Sequence, residues 1–147
     1  MPAREKGMGA MTEANGSLKS VLVAQLVWVA LVVGWNITGV VMVNNGLAPP
    51  GPSTSVTAAL LFGAIGVGLF DFSRKWPLAY GGLSAVAGAL AIGAVYKPLT
   101  ADPSLWASDV WRYTAVVINA IGIVSAIPAV IVFSVWWLKT GRHLRTE

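Results

Sequence analysis

No Asp, Glu, Lys or Arg occurs between Lys19 and Asp71. Two more uncharged stretches run from Trp76 to Tyr96 and from Tyr113 to Leu138. Such stretches have too few polar side chains to give a helix a water-facing side. A bilayer core is about 30 Å thick and a helix rises about 1.5 Å per residue, so about 20 apolar residues cross it. The second and third stretches each hold one crossing. The first holds two, divided by Asn44-Asn45-Gly46-Leu47-Ala48-Pro49-Pro50-Gly51-Pro52. The prolines and glycines there cannot continue a helix.

The expected fold class is therefore all-α, an integral membrane bundle of four transmembrane helices. The spans fall at about 21–43, 55–70, 77–96 and 110–138, within a membrane domain of 20–138. A tail of 1–19 precedes it and a basic tail of 139–147 follows. The second span is short. The fourth is long and contains Pro128, which removes one backbone hydrogen bond and predicts a kink over 124–128. The first span exceeds the roughly 7–15 apolar residues of a cleaved signal peptide, so it reads as an uncleaved anchor.

Composition narrows the chemistry. Charged residues are 11% of the 147 and hydrophobic ones 56%, against about 25% charge in an ordinary soluble domain. There is no cysteine, and His143 is the one histidine. A disulfide framework, a thiolate metal site, a cysteine nucleophile and a histidine-caged metal are excluded. No cofactor is expected.

Eight of the ten basic residues lie in the two tails and the second loop, at Arg4, Lys6, Lys19, Arg74, Lys75, Lys139, Arg142 and Arg145. Lys97 and Arg112 lie on the other side. Basic residues gather on the cytoplasmic side of short loops, so both termini are expected in the cytoplasm, which needs an even number of spans. The bacterial inner membrane is the expected location. The basic residues are too dispersed for a nucleic-acid surface. They suit anionic lipid head groups instead. Trp76, Trp106, Trp111, Trp136 and Trp137, with Tyr80, Tyr96 and Tyr113, fall at expected span ends, where an aromatic ring with a polar handle sits at head-group level.

The third loop contains Asp102-Pro103-Ser104-Leu105-Trp106. An Asp cap before a proline at the first helical position predicts a short interfacial helix over 102–108, with Leu105 and Trp106 dipping inward. A plain ordered loop is the alternative. Ser108 or Asp109 then caps the fourth helix.

Within a bilayer, small residues let helices approach closely. Gly81, Ala85, Ala89 and Gly93 recur every four residues on the third helix, with Ser84 and Gly88 beside them. The second helix offers Gly63, Ala64, Gly66 and Gly68. The fourth offers Ala115, Gly122, Ala126 and Ala129. Three such seams exceed the needs of one compact bundle, and they predict association with other transmembrane subunits or with further copies of the chain.

Few groups could carry chemistry. Gln25 and Asn36 are close to three turns apart and share a helix face with Val32 and Gly39. Asn119 lies on the fourth helix at a depth where it could meet Asn36. These three amides are either a polar spot for a ligand or interhelical hydrogen bonds, worth about 0.5–2 kcal/mol each in a membrane. Asp71 is the nearest approach to an intramembrane carboxylate and is expected to pair with Arg74 or Lys75. Asp102 and Asp109 are accounted for as caps, and His143 as a solvated tail residue. Asn36-Ile37-Thr38 and Asn15-Gly16-Ser17 match a glycosylation pattern but lie in a span and in the cytoplasmic tail. The run Gly63-Ala64-Ile65-Gly66-Val67-Gly68 lacks the strand that a nucleotide-binding loop requires.

Three functions are ranked on this basis. The first is a non-catalytic accessory or assembly subunit of a larger membrane complex, offering helix-packing surface and a lipid- or cofactor-facing wall. The second is a small oligomeric transporter or channel lined by Gln25, Asn36 and Asn119. An enzyme ranks last, because reactive groups are so few.

Overall fold

A computed structural model of the chain describes the backbone over 3–143 and side chains over 18–131, 133 and 134. The regular structure among these residues is all helical. The four long helices are α1 (Ala3–Asn44), α2 (Val56–Lys75), α3 (Pro77–Thr100) and α4 (Asp109–His143). Each contains a segment long and apolar enough to cross a bilayer, namely Leu18–Asn44, Val56–Lys75, Pro77–Thr100 and Asp109–Ile131. The chain is an integral membrane four-helix bundle. Helix α1 packs on α2 and α4. Helix α3 packs chiefly on α4 and less on α2. Four crossings bring the start of α1 and the end of α4 to one end of the bundle, here called the terminal end. The other is the distal end.

Local chemistry sets the helix limits. Ser55 caps α2, its Oγ accepting from the Ala58 amide at 3.0 Å. α2 then runs five residues past the expected end at Phe70, because charged residues end an apolar run without ending a helix. Arg74 stays by placing its guanidinium over the Phe70 ring, 3.9 Å from the centroid. The expected pairing of Asp71 with Arg74 or Lys75 does not form. The ion pair among the described residues is Arg112 with Asp109, at 3.7 Å.

Pro77 opens α3 at its first position, where a missing N–H costs nothing. α3 continues past Tyr96 through Pro98 to Thr100. The proline falls in the last turn, so it removes a single helical bond near the end. The carbonyl of Pro98 accepts from Arg112 Nε at 2.6 Å, which ties the end of α3 to the start of α4. Helix α4 begins with Asp109, a favourable charge for a helix N-terminus. The Ser108 hydroxyl reaches the Trp111 amide at 3.5 Å. Pro128 lies inside α4, which runs on to His143. The side chains of Trp136, Trp137 and His143 lie outside the described residues.

The third loop holds one turn of 3-10 helix, Pro103–Leu105, rather than a helix over 102–108. Trp106 takes an extended conformation and ends it. Leu105 is exposed, and only Trp106 turns inward. The Asp102 carboxylate accepts from the Ser104 amide at 2.9 Å. That bond from the Ser104 backbone holds the Asp102 carboxyl below its ordinary value. A lowered value means the contact is present above the ordinary carboxylate range and is lost as pH falls through the shifted one. In an NMR titration the Ser104 amide resonance should therefore move with a midpoint below that of an unperturbed aspartate. A midpoint at the ordinary value would contradict the contact.

Packing rests on small residues, though not along the expected stripe. An added Cβ at Gly66 would collide with Val29, at Gly88 with Ala126, at Gly81 with Phe133 and at Gly122 with Trp28. Ala115, Gly122, Ala126 and Ala129 of α4 are all buried. On α3 the expected seam divides. Gly81 and Gly88 are buried, whereas Ala85, Ala89 and Gly93 are exposed. A four-residue repeat drifts about 40° per step around a helix of 3.6 residues per turn, so it leaves the contact face within a few turns. The buried stripe of α3 follows the helical period instead, through Tyr80, Ser84, Ala87, Ala91 and Pro98.

Candidate functional site

The buried face of α1 is a single stripe of Gln25, Trp28, Val29, Val32, Asn36 and Gly39. Its polar members face two distinct sets of partners, one toward each end of the bundle.

Toward the terminal end, Gln25 reaches across the bundle to α3. Its Oε1 accepts from the Tyr80 hydroxyl at 2.7 Å, and its Nε2 donates to Ser84 Oγ at 3.1 Å. Gln25, Tyr80 and Ser84 are nearly or fully buried. Tyr80 is therefore an interior hydrogen-bond donor and not the interfacial anchor its position near a span end suggested. The signal was present: Tyr80, Ser84, Ala87 and Ala91 share one helical face.

One turn on, Trp28 lies against Gly122. Its indole Nε1 donates to Asn119 Oδ1 at 3.4 Å, and Asn119 Nδ2 donates to the Ala115 carbonyl at 2.8 Å. Phe62 of α2 packs edge-on against the Trp28 ring, at 5.6 Å and 87°.

Asn36 serves the distal end. Its Oδ1 accepts from the Ser55 amide at 3.1 Å, and its Nδ2 donates to the Val32 carbonyl at 2.9 Å. Asn36 thus holds the residue that caps α2. Asn36 and Asn119 do not bond to each other. Counting residues from each span end misjudged their depths, because α1 extends well past the level at which α4 begins. Trp35 stacks edge-on with Trp111 at 5.4 Å, so Asn36 is level with the first turns of α4. Asn119 is level with Trp28.

The two asparagines nonetheless line one cavity of about 390 Å³ in the distal half, with all four helices contributing. Val32, Phe62, Leu90, Ala94 and Ala115 form its apolar wall. Its rim is built from both distal loops and the end of α3. Lys97 Nζ donates to Ser53 Oγ at 3.3 Å. Trp106 lies against Gly51, where a side chain would collide with the indole ring. The Trp106 Nε1 is buried and has no hydrogen-bond partner. Ala89, Leu90 and Gly93 line the cavity and are also exposed, so it opens sideways beside α3.

Of the expected anchors, Trp76 is exposed, while Trp106 and Trp111 are half-buried parts of the distal packing. Tyr96 and Tyr113 are exposed at the distal end. No His, Asp or Glu cluster able to hold a metal occurs among the described residues.

Fold and site together define a multi-pass helical membrane protein with a side-opening cavity in the distal half of the bundle. No protein-family model, curated protein or solved structure matches this chain.

Proposed function

We propose that the chain is a non-catalytic accessory subunit of a larger membrane assembly, with both termini on the cytoplasmic side of a bacterial inner membrane. The observation that carries this is the outward face of α3. An added Cβ at Gly82 would meet nothing, and Ala85 lies exposed on the same side, nearer the terminal end than the cavity opening at Ala89 and Gly93. Glycine weakens a helix by about 1 kcal/mol relative to alanine. A bare glycine on that face therefore adds nothing within this chain, and it suits the close approach of another transmembrane helix. The amides support the same view. Gln25, Asn36 and Asn119 each have both ends of the side chain bonded inside the bundle, which uses them as internal struts.

Native mass spectrometry of gently solubilised membranes tests this. A defined set of heterologous chains, or a fixed number of copies, should accompany the protein. Gly82→Leu and Ala85→Leu enlarge exposed positions, so each should leave thermal stability unchanged or slightly raised while at least halving the associated fraction. A chain that runs alone overturns the proposal. So does association unaffected by both substitutions.

The cavity favours a second function, a small transporter or channel. Here Asn36 and Asn119 would touch the solute, and Gln25, bonded to Tyr80 and Ser84, would not. Solute flux in proteoliposomes that survives Asn36→Leu and Asn119→Leu would dismiss it.

A further inference from the structure

The distal cavity carries a ligand assignment that does not depend on any partner subunit. Its volume of about 390 Å³ falls within the range of roughly 300–1,000 Å³ typical of small-molecule sites. Filled with liquid water at about 30 Å³ each it would need about a dozen molecules, and each would want two to four polar partners. Such waters would bond mostly to one another, and the mostly apolar wall would leave those against it short of partners. Hydrocarbon is the better filling, and the sideways opening at Ala89 and Gly93 faces the region where lipid chains lie.

The rim adds a head-group preference. Trp106 Nε1 is a donor only, buried without an acceptor. Lys97 carries donors only and a full positive charge. Its described bond goes to the neutral Ser53 hydroxyl, and no ion pair links it to a carboxylate among the described residues. The Trp106 Nε1 is closed off from an incoming group, whereas Lys97 is exposed at the rim and open to an added acceptor, and its charge favours an anionic one. The site is thus apolar within and cationic at the rim.

We propose that this cavity binds a single-chain amphiphile with an anionic head, its hydrocarbon tail between the helices and its head at Lys97. A carboxylate and a phosphate monoester share the needed chemistry, as in a fatty acid and a lysophosphatidate.

The test uses the purified full chain in a non-ionic detergent with a diazirine-bearing palmitate, and maps the photo-crosslinks by mass spectrometry. Label should fall on cavity residues such as Leu90, Ala94 and Ala115. Unlabelled palmitate and hexadecyl lysophosphatidate serve as competing arms, and the stronger competitor identifies the natural head group. Hexadecanol, with the same chain and no charge, should compete at least tenfold more weakly, the effect of about 1.4 kcal/mol lost from a charge-assisted bond. Lys97→Gln should weaken palmitate by a similar factor, and Lys97→Arg should restore it. Ala89→Leu narrows the opening from an exposed position and should abolish labelling without shifting elution volume or melting temperature. The proposal is overturned if hexadecanol competes equally, if Lys97→Gln binds as the parent does, or if the label falls on the groove between α1 and α4 around Val21, Val117 and Val124.

Discussion

Gly122→Val should weaken the bundle by about 1–3 kcal/mol, the usual cost of forcing extra methyl groups into a filled core. The reason is local. The Trp28 ring lies on the bare backbone of Gly122, and even one added Cβ would sit inside contact distance of its ring atoms. Trp28 is 1% exposed and has no open side to retreat to. Moving it would also lengthen its bond to Asn119, already 3.4 Å, and disturb the Phe62 edge contact. Denaturation in mixed detergent micelles should show the loss as an earlier midpoint. Gly63→Val is the control, since a Cβ there meets nothing. Equal effects at the two positions would refute the packing described for α1 and α4.

Gln25→Leu should cost as much or more, by a different route. Leucine fits an apolar interior, but it strands the Tyr80 hydroxyl and the Ser84 hydroxyl in buried positions. Each buried group left unpaired costs about 1–3 kcal/mol. Removing all partners together is much cheaper than removing one. The triple variant Gln25→Leu, Tyr80→Phe, Ser84→Ala should therefore recover most of the loss. The same unfolding assay reads both. A triple variant as weak as the sum of its parts would mean that the relay across the bundle does not form.

The bundle was legible in the sequence because the bilayer imposes a coarse and strict rule. Uncharged stretches of sufficient length have to span, and the prolines of the first loop have to divide the longest one. Finer features were less legible. Helix ends at Lys75 and Thr100 lay beyond the apolar runs, since hydropathy marks the membrane and hydrogen bonding marks the helix. Gln25, Asn36 and Asn119 stood out as rare polar groups, but their partners did not. Ser84 looked like a small packing residue and Tyr80 like an anchor, and nothing set Trp28 apart. What joins them is the relative depth of α1, α3 and α4, which depends on tertiary contacts such as Trp35 with Trp111. The cavity was hidden for the same reason, since its lining comes from every helix and from both distal loops.

The hydrogen bonds of α1 also imply an order of events. Asn36 needs only α2, because its partners are Val32 and Ser55. Gln25 needs Tyr80 and Ser84, which come more than fifty residues later, and Trp28 needs Asn119, later still. A chain synthesised from its N-terminus can thus complete the distal half of its first hairpin at once. The terminal half must wait with an amide unpaired in lipid until α3 arrives, and the indole of Trp28 waits for α4. That standing debt gives the first two helices a reason to hold out for the last two.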